Sequence, residues 1–470
     1  MKTKILFLVF VAAAFRMSGN SINVPSDFPT IQSAIESSTN GDSVIVQPGN
    51  YFENLNFRGK NIFLTSLYYL NNDTSYITST VINGSTPSDP DTGSCVIFNS
   101  GEDSTAVIQG FTITGGTGTL WLDPHGAGIY REGGGILIEL SSPSVLHNSI
   151  LYNFASNVTG ATSSGGGGLR IGDGNPLVMN NVIMFNQGIY GAGIVMNFTG
   201  GKILNNVIAS NTGGQAYYGG SAIWILDNMG NTPKIIVNNT IVNNSASQVN
   251  GTGGISCWSA NNVLIKNNIV YGNYPAVQIK ATSSTPDVSY CNIQDGYAGV
   301  GNIDSDPLFE STSYFLGTGS ACIDAGDSSL QYRDIQSTDV PGLVIFPCKG
   351  SLRNDMGAYG GPNSSLLPLF QSLTGINSPV ASLNEVMVSP NPFSENLRID
   401  YVLIKESFVS INLYSETGKC ISTSIVNEKR SAGYHSEKIN IRNSLPSGNY
   451  FVAISSGADN IVSRKIIKVL

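Results

Sequence analysis

One recurring pattern constrains this chain more than any other feature. It opens on glycines, runs through a short apolar strand, turns at Ser/Pro or Gly/Asn, enters a second strand and closes on asparagine. It is read first at 133–153 (GGGILIELSSPSVLHNSILYN) and returns at 166–186, 191–211, 219–244 and 253–273. The asparagines before each second strand are Asn148, Asn181, Asn206, Asn239 and Asn268, with steps of 33, 25, 33 and 29 residues. A unit of this size cannot bury its own apolar face, so it must stack on its neighbours as a solenoid. The strands are short and β-branched, with no helical periodicity between them. This predicts a parallel β-helix in which each coil pairs with the next at about 4.8 Å.

From about 21 to 362 these coils resemble the right-handed parallel β-helix family with a pectin-lyase-like fold. The resemblance implies an all-β solenoid. It leaves activity open, because lyases, hydrolases, esterases and non-enzymes share that fold. The block 23–51 carries Ile31, Ala34 and Ile35 at helical spacing. It is expected to form a short helix covering the first open edge of the stack.

Composition fits this reading. The chain has 470 residues, 53 of them glycine, and only 12% are charged. Glycine and asparagine suit corners where φ is positive. A net charge of −8 offers no basic stripe for phosphates and argues against a nucleic-acid partner. Residues 1–19 read as a signal peptide, with Lys2 and Lys4 before an apolar run at 5–14. That run is too short to span a bilayer, so no transmembrane segment is expected in the mature chain. The six cysteines show no metal-ligand spacing. Cys322 and Cys348 are placed to close one loop, with free thiols as the alternative. The polar stretch 71–103 reads as a solvated insertion; its Asp89 and Asp91, and the later set Asp304, Asp306, Asp324, Asp327 and Asp355, keep calcium open as a ligand.

The repeat domain is expected over 20–363, with 301–362 as a closing cap and 364–384 as a Ser/Pro-rich linker. From 385 the chain changes to alternating strands with frequent turns, which predicts a small β-sandwich. SPNPF (389–393), LYSETGK (413–419), LPSGNYF (445–451) and the terminal Lys465-Ile466-Ile467-Lys468 resemble a type A sorting domain of the Bacteroidetes type IX secretion system. That resemblance implies the secretion machinery as a partner of 385–470, removal of this domain, and release or attachment at the outer cell surface. An immunoglobulin-like adhesion module is the alternative.

Strand alternation assigns faces. Ile138, Ile171, Met196, Ile225, Cys257 and Ile279 form an inward column. Leu137, Arg170, Val195, Trp224, Ser256 and Gln278 form one outward column, and Glu139, Gly172, Asn197, Leu226, Trp258 and Lys280 a second. The extra residues 117–132, 154–164, 212–218 and 245–252 leave from one corner and are expected to line one edge of this face. Trp224 and Trp258, with Trp121 and Tyr217 on inserts and Asn197 and Lys280 beside them, are candidate carbohydrate-binding residues, since flat aromatics stack on sugar rings. Loops folded over the rings are the alternative. Glu139 with Arg170, or Asp123 with His125, are the candidates for acid–base chemistry; a surface ion pair is the simpler account of the first. The HGAG at 125–128 matches the Gly-His-Gly of polygalacturonases only in part. Neither their paired aspartates nor the calcium and arginine signature of pectate lyases is present. His147 shares a column with Asn180, Asn205, Asn238 and Asn267, which predicts a corner residue. The overall expectation is an exported protein that binds polysaccharide, with a lyase or hydrolase acting on an acidic glycan as the alternative.

Overall fold

The computed structural model describes residues 19–156, 160–213, 219–228, 230–246, 251–310, 313–338, 340–368, 383–389, 393–403, 406–415, 420–431, 433–440, 445–456 and 460–469. The expected signal peptide, Tyr217 and most of the expected linker lie outside them. The chain divides into two compact units, Met1–Gln371 and Ser372–Leu470.

Three long sheets build the first unit. Sheet A has ten strands from Ser21–Val24 to Asp287–Ser289, sheet B nine from Gly49–Tyr51 to Asn292–Ile293, and sheet C eight from Leu55–Asn56 to Ile279–Thr282. Neighbours in each sheet pair in parallel, as in Val145↔Val178, Ile150↔Ile183 and Ile138↔Ile171. One turn of the chain visits all three: Ile136–Glu139 in C, Ser144–Leu146 in A, Ser149–Leu151 in B. This is the parallel β-helix the repeats call for. Its core follows from alternation: Ile136, Ile138, Val145 and Ile150 are all fully buried, as are Leu169, Ile171, Val178 and Ile183 one coil on. Each such side chain contributes about 1.5–3 kcal/mol relative to exposure.

Two asparagine ladders lock the coils. In the first, Asn148, Asn181, Asn206 and Asn239 each donate their backbone N–H and Nδ2 to the Oδ1 of the next asparagine, at 2.8–3.2 Å. Each Nδ2 also donates to a carbonyl of the preceding coil, for example Asn206 to Val178 O at 2.9 Å. Asn153, Asn186, Asn211, Asn244 and Asn273 repeat the arrangement at the next corner. The residue before each rung of the first ladder turns left-handed: His147, Asn180, Asn205, Asn238 and Asn267 have φ of 51–58°. His147 is thus a corner residue, its Nδ1 meeting the Tyr68 hydroxyl at 3.0 Å.

The first edge is covered by the expected helix, Ile31–Ser37, capped by Thr30 and burying Ile31, Ala34 and Ile35. Three expectations are corrected. The stretch 71–103 is not one solvated insertion: Thr80–Asn83 is a strand of sheet B and Val96–Phe98 a strand of sheet C, because both present β-branched or aromatic residues to the core. Glu102 is buried and receives Gly59 N–H, Ser100 N–H and the Ser141 hydroxyl. Cys322 and Cys348 are free, buried thiols.

The third correction is partial: residues 302–305 do close the last coil, with Ile303 bridged to Asn292 and Asn302 Oδ1 accepting from Cys291 N–H, but the chain then continues to 367 as a strap. The outward apolar residues of sheet B, among them Leu151, Met184, Val207 and Val242, need covering, and Leu316, Met356, Ala358, Tyr359 and Leu367 cover them. The corner asparagines act as a rail: Asn205 Nδ2 donates to Ala358 O and Gly360 O, and Asn238 Nδ2 to Asp355 O and Gly357 O. The second unit is two antiparallel sheets of three and four strands over one core that includes Leu397, Ile399, Tyr401, Val452 and Ile454.

Two predictions follow from these contacts. Asn206→Ala removes the acceptor for both Asn181 donors, and leaving buried donors unmet costs roughly 3 kcal/mol, read as a fall in the urea midpoint of unfolding. Within the strap, Asp334 accepts from Gly361 N–H and Asp355 N–H. Burial, and then the neighbouring Asp355 charge, raise its carboxyl to about 8, and burial raises Asp355 to about 7. Carboxyls that hold protons more tightly when folded stabilise fully at low pH. That stability is lost as pH rises from the ordinary carboxylate value through 7 to 8. Melting temperature is therefore expected to fall over that window, and Asp334→Asn to reduce the fall.

Candidate functional site

The site lies on the outer face of sheet C, beneath a hairpin built from the first insert. Gly118–Leu122 and Ile129–Glu132 pair antiparallel, with Trp121 opposite Tyr130. The second hairpin strand then pairs with Ser163–Gly165, so two inserts join at one edge. Behind them, Phe154–Ala155, Gln187–Gly188, Thr212–Gly213 and Ser245–Ala246 stack as a short parallel sheet. The inserts do share one corner, as their spacing predicts.

Arg170 is the centre of this end of the face. It is fully buried, so Glu139 and Arg170 are not the surface pair anticipated. Its Nε donates to Glu132 Oε2 at 3.0 Å, its Nη1 donates to Glu139 Oε2, and its guanidinium carbon sits 4.1 Å from the Trp121 ring centroid. Glu132 accepts two further bonds: Trp121 Nε1 donates to Oε2 at 3.0 Å and the Tyr190 hydroxyl donates to Oε1. Gly172 makes room: a Cβ there would stand 1.7 Å from Arg170 Nη1. Burial and the Glu132 charge raise the Tyr190 hydroxyl well above its ordinary value. That phenol therefore stays a donor.

Asp123 and His125 come to the same place. His125 Nδ1 lies 3.3 Å from Asp123 Oδ1 and Nε2 lies 3.4 Å from Asp173 Oδ1, with the imidazole stacked on Phe198 at 4.0 Å. The imidazole therefore stands between two carboxylates. Burial raises the Asp173 carboxyl above its ordinary value, against the lowering influence of His125 and Arg170. Glu132, Asp173, Tyr190 and Phe198 were not among the sequence candidates. Asp173 and Phe198 occupy left-handed corner positions, with φ of 47° and 50°. Neither residue type marks a site by itself, since Leu140, His147, Tyr152, Phe185 and Tyr290 also occupy left-handed corners.

The aromatic candidates divide. Trp224 is buried, at 9% exposure, packed with Tyr190 and Val195. An outward side chain here is not an exposed one, because the inserts fold over it. Trp258 and Lys280 are partly exposed farther along the sheet. The last coil pairs two residues later than the alignment placed it: Lys280 faces Ser256 and Thr282 faces Trp258. Hence Ile279 stacks on Ile255 rather than on Cys257.

Several buried polar atoms on this face have no protein partner: Arg170 Nη2, Glu139 Oε1, Asp173 Oδ2, Asn197 Oδ1 and Trp224 Nε1. Among the described residues no group of three or more His, Cys, Asp or Glu converges as a metal site. Glu132→Ala would strip a buried guanidinium of one of its two carboxylates. A loss of about 3–5 kcal/mol is expected, measured by urea unfolding, with Glu132→Gln milder.

Residues 387–468 match the Secretion system C-terminal sorting domain family. No curated protein and no solved structure matches the chain. No helix among the described residues is long and apolar enough to cross a membrane. The chain carries a type IX sorting domain at 387–468 and is exported, to the medium or the outer cell surface.

Proposed function

We propose that this is an exported polysaccharide-binding protein whose site runs along the outer face of sheet C. The observation that carries the reading is the second outward column. Glu139, Gly172, Asn197, Leu226, Trp258 and Thr282 succeed one another in register. Buried polar atoms without protein partners lie at one end and a partly exposed tryptophan at the other. Leaving such atoms unmet costs about 1–3 kcal/mol each, a cost that a hydroxyl-rich ligand offsets. Aromatic faces stack on sugar rings, and a straight column of repeats suits a polymer of repeating units.

A catalytic reading, as a glycoside hydrolase or polysaccharide lyase, has one specific support: His125 between Asp123 and Asp173, the carboxyl of the latter raised above its ordinary value by burial. A carboxyl raised in this way and set against an imidazole is suited to passing a proton to or from a substrate.

The test is retention of the purified full chain on a polysaccharide panel, with products recorded in parallel. Trp258→Ala is expected to lower retention by about tenfold, which corresponds to roughly 1.4 kcal/mol of stacking. Retention unchanged in that variant and in Asn197→Ala would move the site elsewhere. If new reducing ends or unsaturated products form, His125→Ala should abolish them while retention persists.

A further inference from the structure

We propose that the sheet C site selects uncharged, hydroxyl-bearing sugars and rejects uronates; this rests on the glycan-binding reading above. Asp123, Glu132, Glu139 and Asp173 surround a single guanidinium, Arg170, and the imidazole of His125. Even with that imidazole protonated, four carboxylates face two cations at this end of the face, and Lys280 lies at the other. Neighbouring Asp227 brings no surplus, because it is already paired with the buried Lys234. Arg131, in the hairpin's second strand, is likewise paired with Asp91.

The atoms left over decide what a ligand must bring. Three are acceptors, Glu139 Oε1, Asp173 Oδ2 and Asn197 Oδ1, and one is a donor, Trp224 Nε1; Arg170 Nη2 lies on a fully buried side chain. The residues that carry them are no more than 9% exposed, apart from Asp173 with its side chain 20% exposed. A sugar hydroxyl donates and accepts at once, so it can satisfy either class. A uronate carboxylate only accepts. It would compete with Glu132 and Glu139 for a guanidinium that already binds both, and would stand beside Asp173 in surroundings that screen charge poorly. Like charges brought together in a dry interface cost several kcal/mol. The acidic-glycan alternative is thereby disfavoured on chemistry carried by the chain itself.

The experiment uses the full chain with three probes: a soluble neutral glucan, an N-acetylglucosamine oligomer and polygalacturonate. Binding is measured at high salt with chelator, so that neither net charge nor a bridging cation contributes. An uncharged probe is expected to bind at least tenfold tighter than polygalacturonate. Asp173→Asn, and separately Glu139→Gln, are expected to narrow that preference by about tenfold, with folding checked by melting. Polygalacturonate binding as tightly as the uncharged probes would overturn the selectivity and leave the glycan-binding reading standing. Binding of none of the three, with no retention on the wider panel, would remove both. A preference that survives in both variants would also overturn the proposal, since the carboxylates would then not be its cause.

Discussion

Everything in the repeat unit depends on the side-chain amides of its two asparagine ladders. A β-helix must turn three corners per coil, and each corner leaves backbone donors and acceptors that sheet pairing cannot reach. One asparagine per rung accepts two bonds from the coil before it. It also donates to the coil after it and to a backbone carbonyl. The amide is the side chain that can do all of this without introducing charge. Because every rung is buried, the coils hold register even where their lengths differ by eight residues. Insertions are then free to grow at one corner without disturbing the core.

That freedom creates the candidate site. The longest insert returns as a hairpin across sheet C and converts part of an outward face into an interior. Arg170, Glu132, Tyr190 and Trp224 are buried not by the solenoid but by what its insertions lay over it. Burying an arginine requires that its partners be in place, since removing charge from water costs several kcal/mol per ion. Glu132 from the hairpin and Glu139 from the sheet supply them, so the same contacts that seat the hairpin position the site. The strap plays a comparable part on sheet B, where it covers apolar residues and borrows the corner asparagines as anchors.

How legible this was differs by level. The Asn148-to-Asn268 column, the inward isoleucines and the corner role of His147 were readable, because a period of two within strands and a fixed rung position leave few alternatives. So was the sorting domain, from ordered motifs near its strand turns. Glu139, Arg170, Asp123 and His125 were singled out, yet as two unrelated pairs. Nothing linear connects Asp123 to Asp173, which lie fifty residues apart and meet only across His125. Trp224 was misplaced for the same reason: alternation tells which way a side chain points, not what later folds over it. Lys280 shifted because the coil preceding it is shorter, and spacing cannot show which residues a turn absorbs.

The sequence by itself determined the repeat, the ladders, the core columns and the export signal, because each is local or strictly periodic and follows from backbone geometry and side-chain chemistry. Only the tertiary structure decided that the chain between 306 and 367 runs along sheet B and that the 118–132 hairpin closes over Arg170. It alone brought four carboxylates, a guanidinium and an imidazole to one face. Those outcomes rest on contacts between segments far apart in the chain, and their cause is burial, which no window of sequence contains.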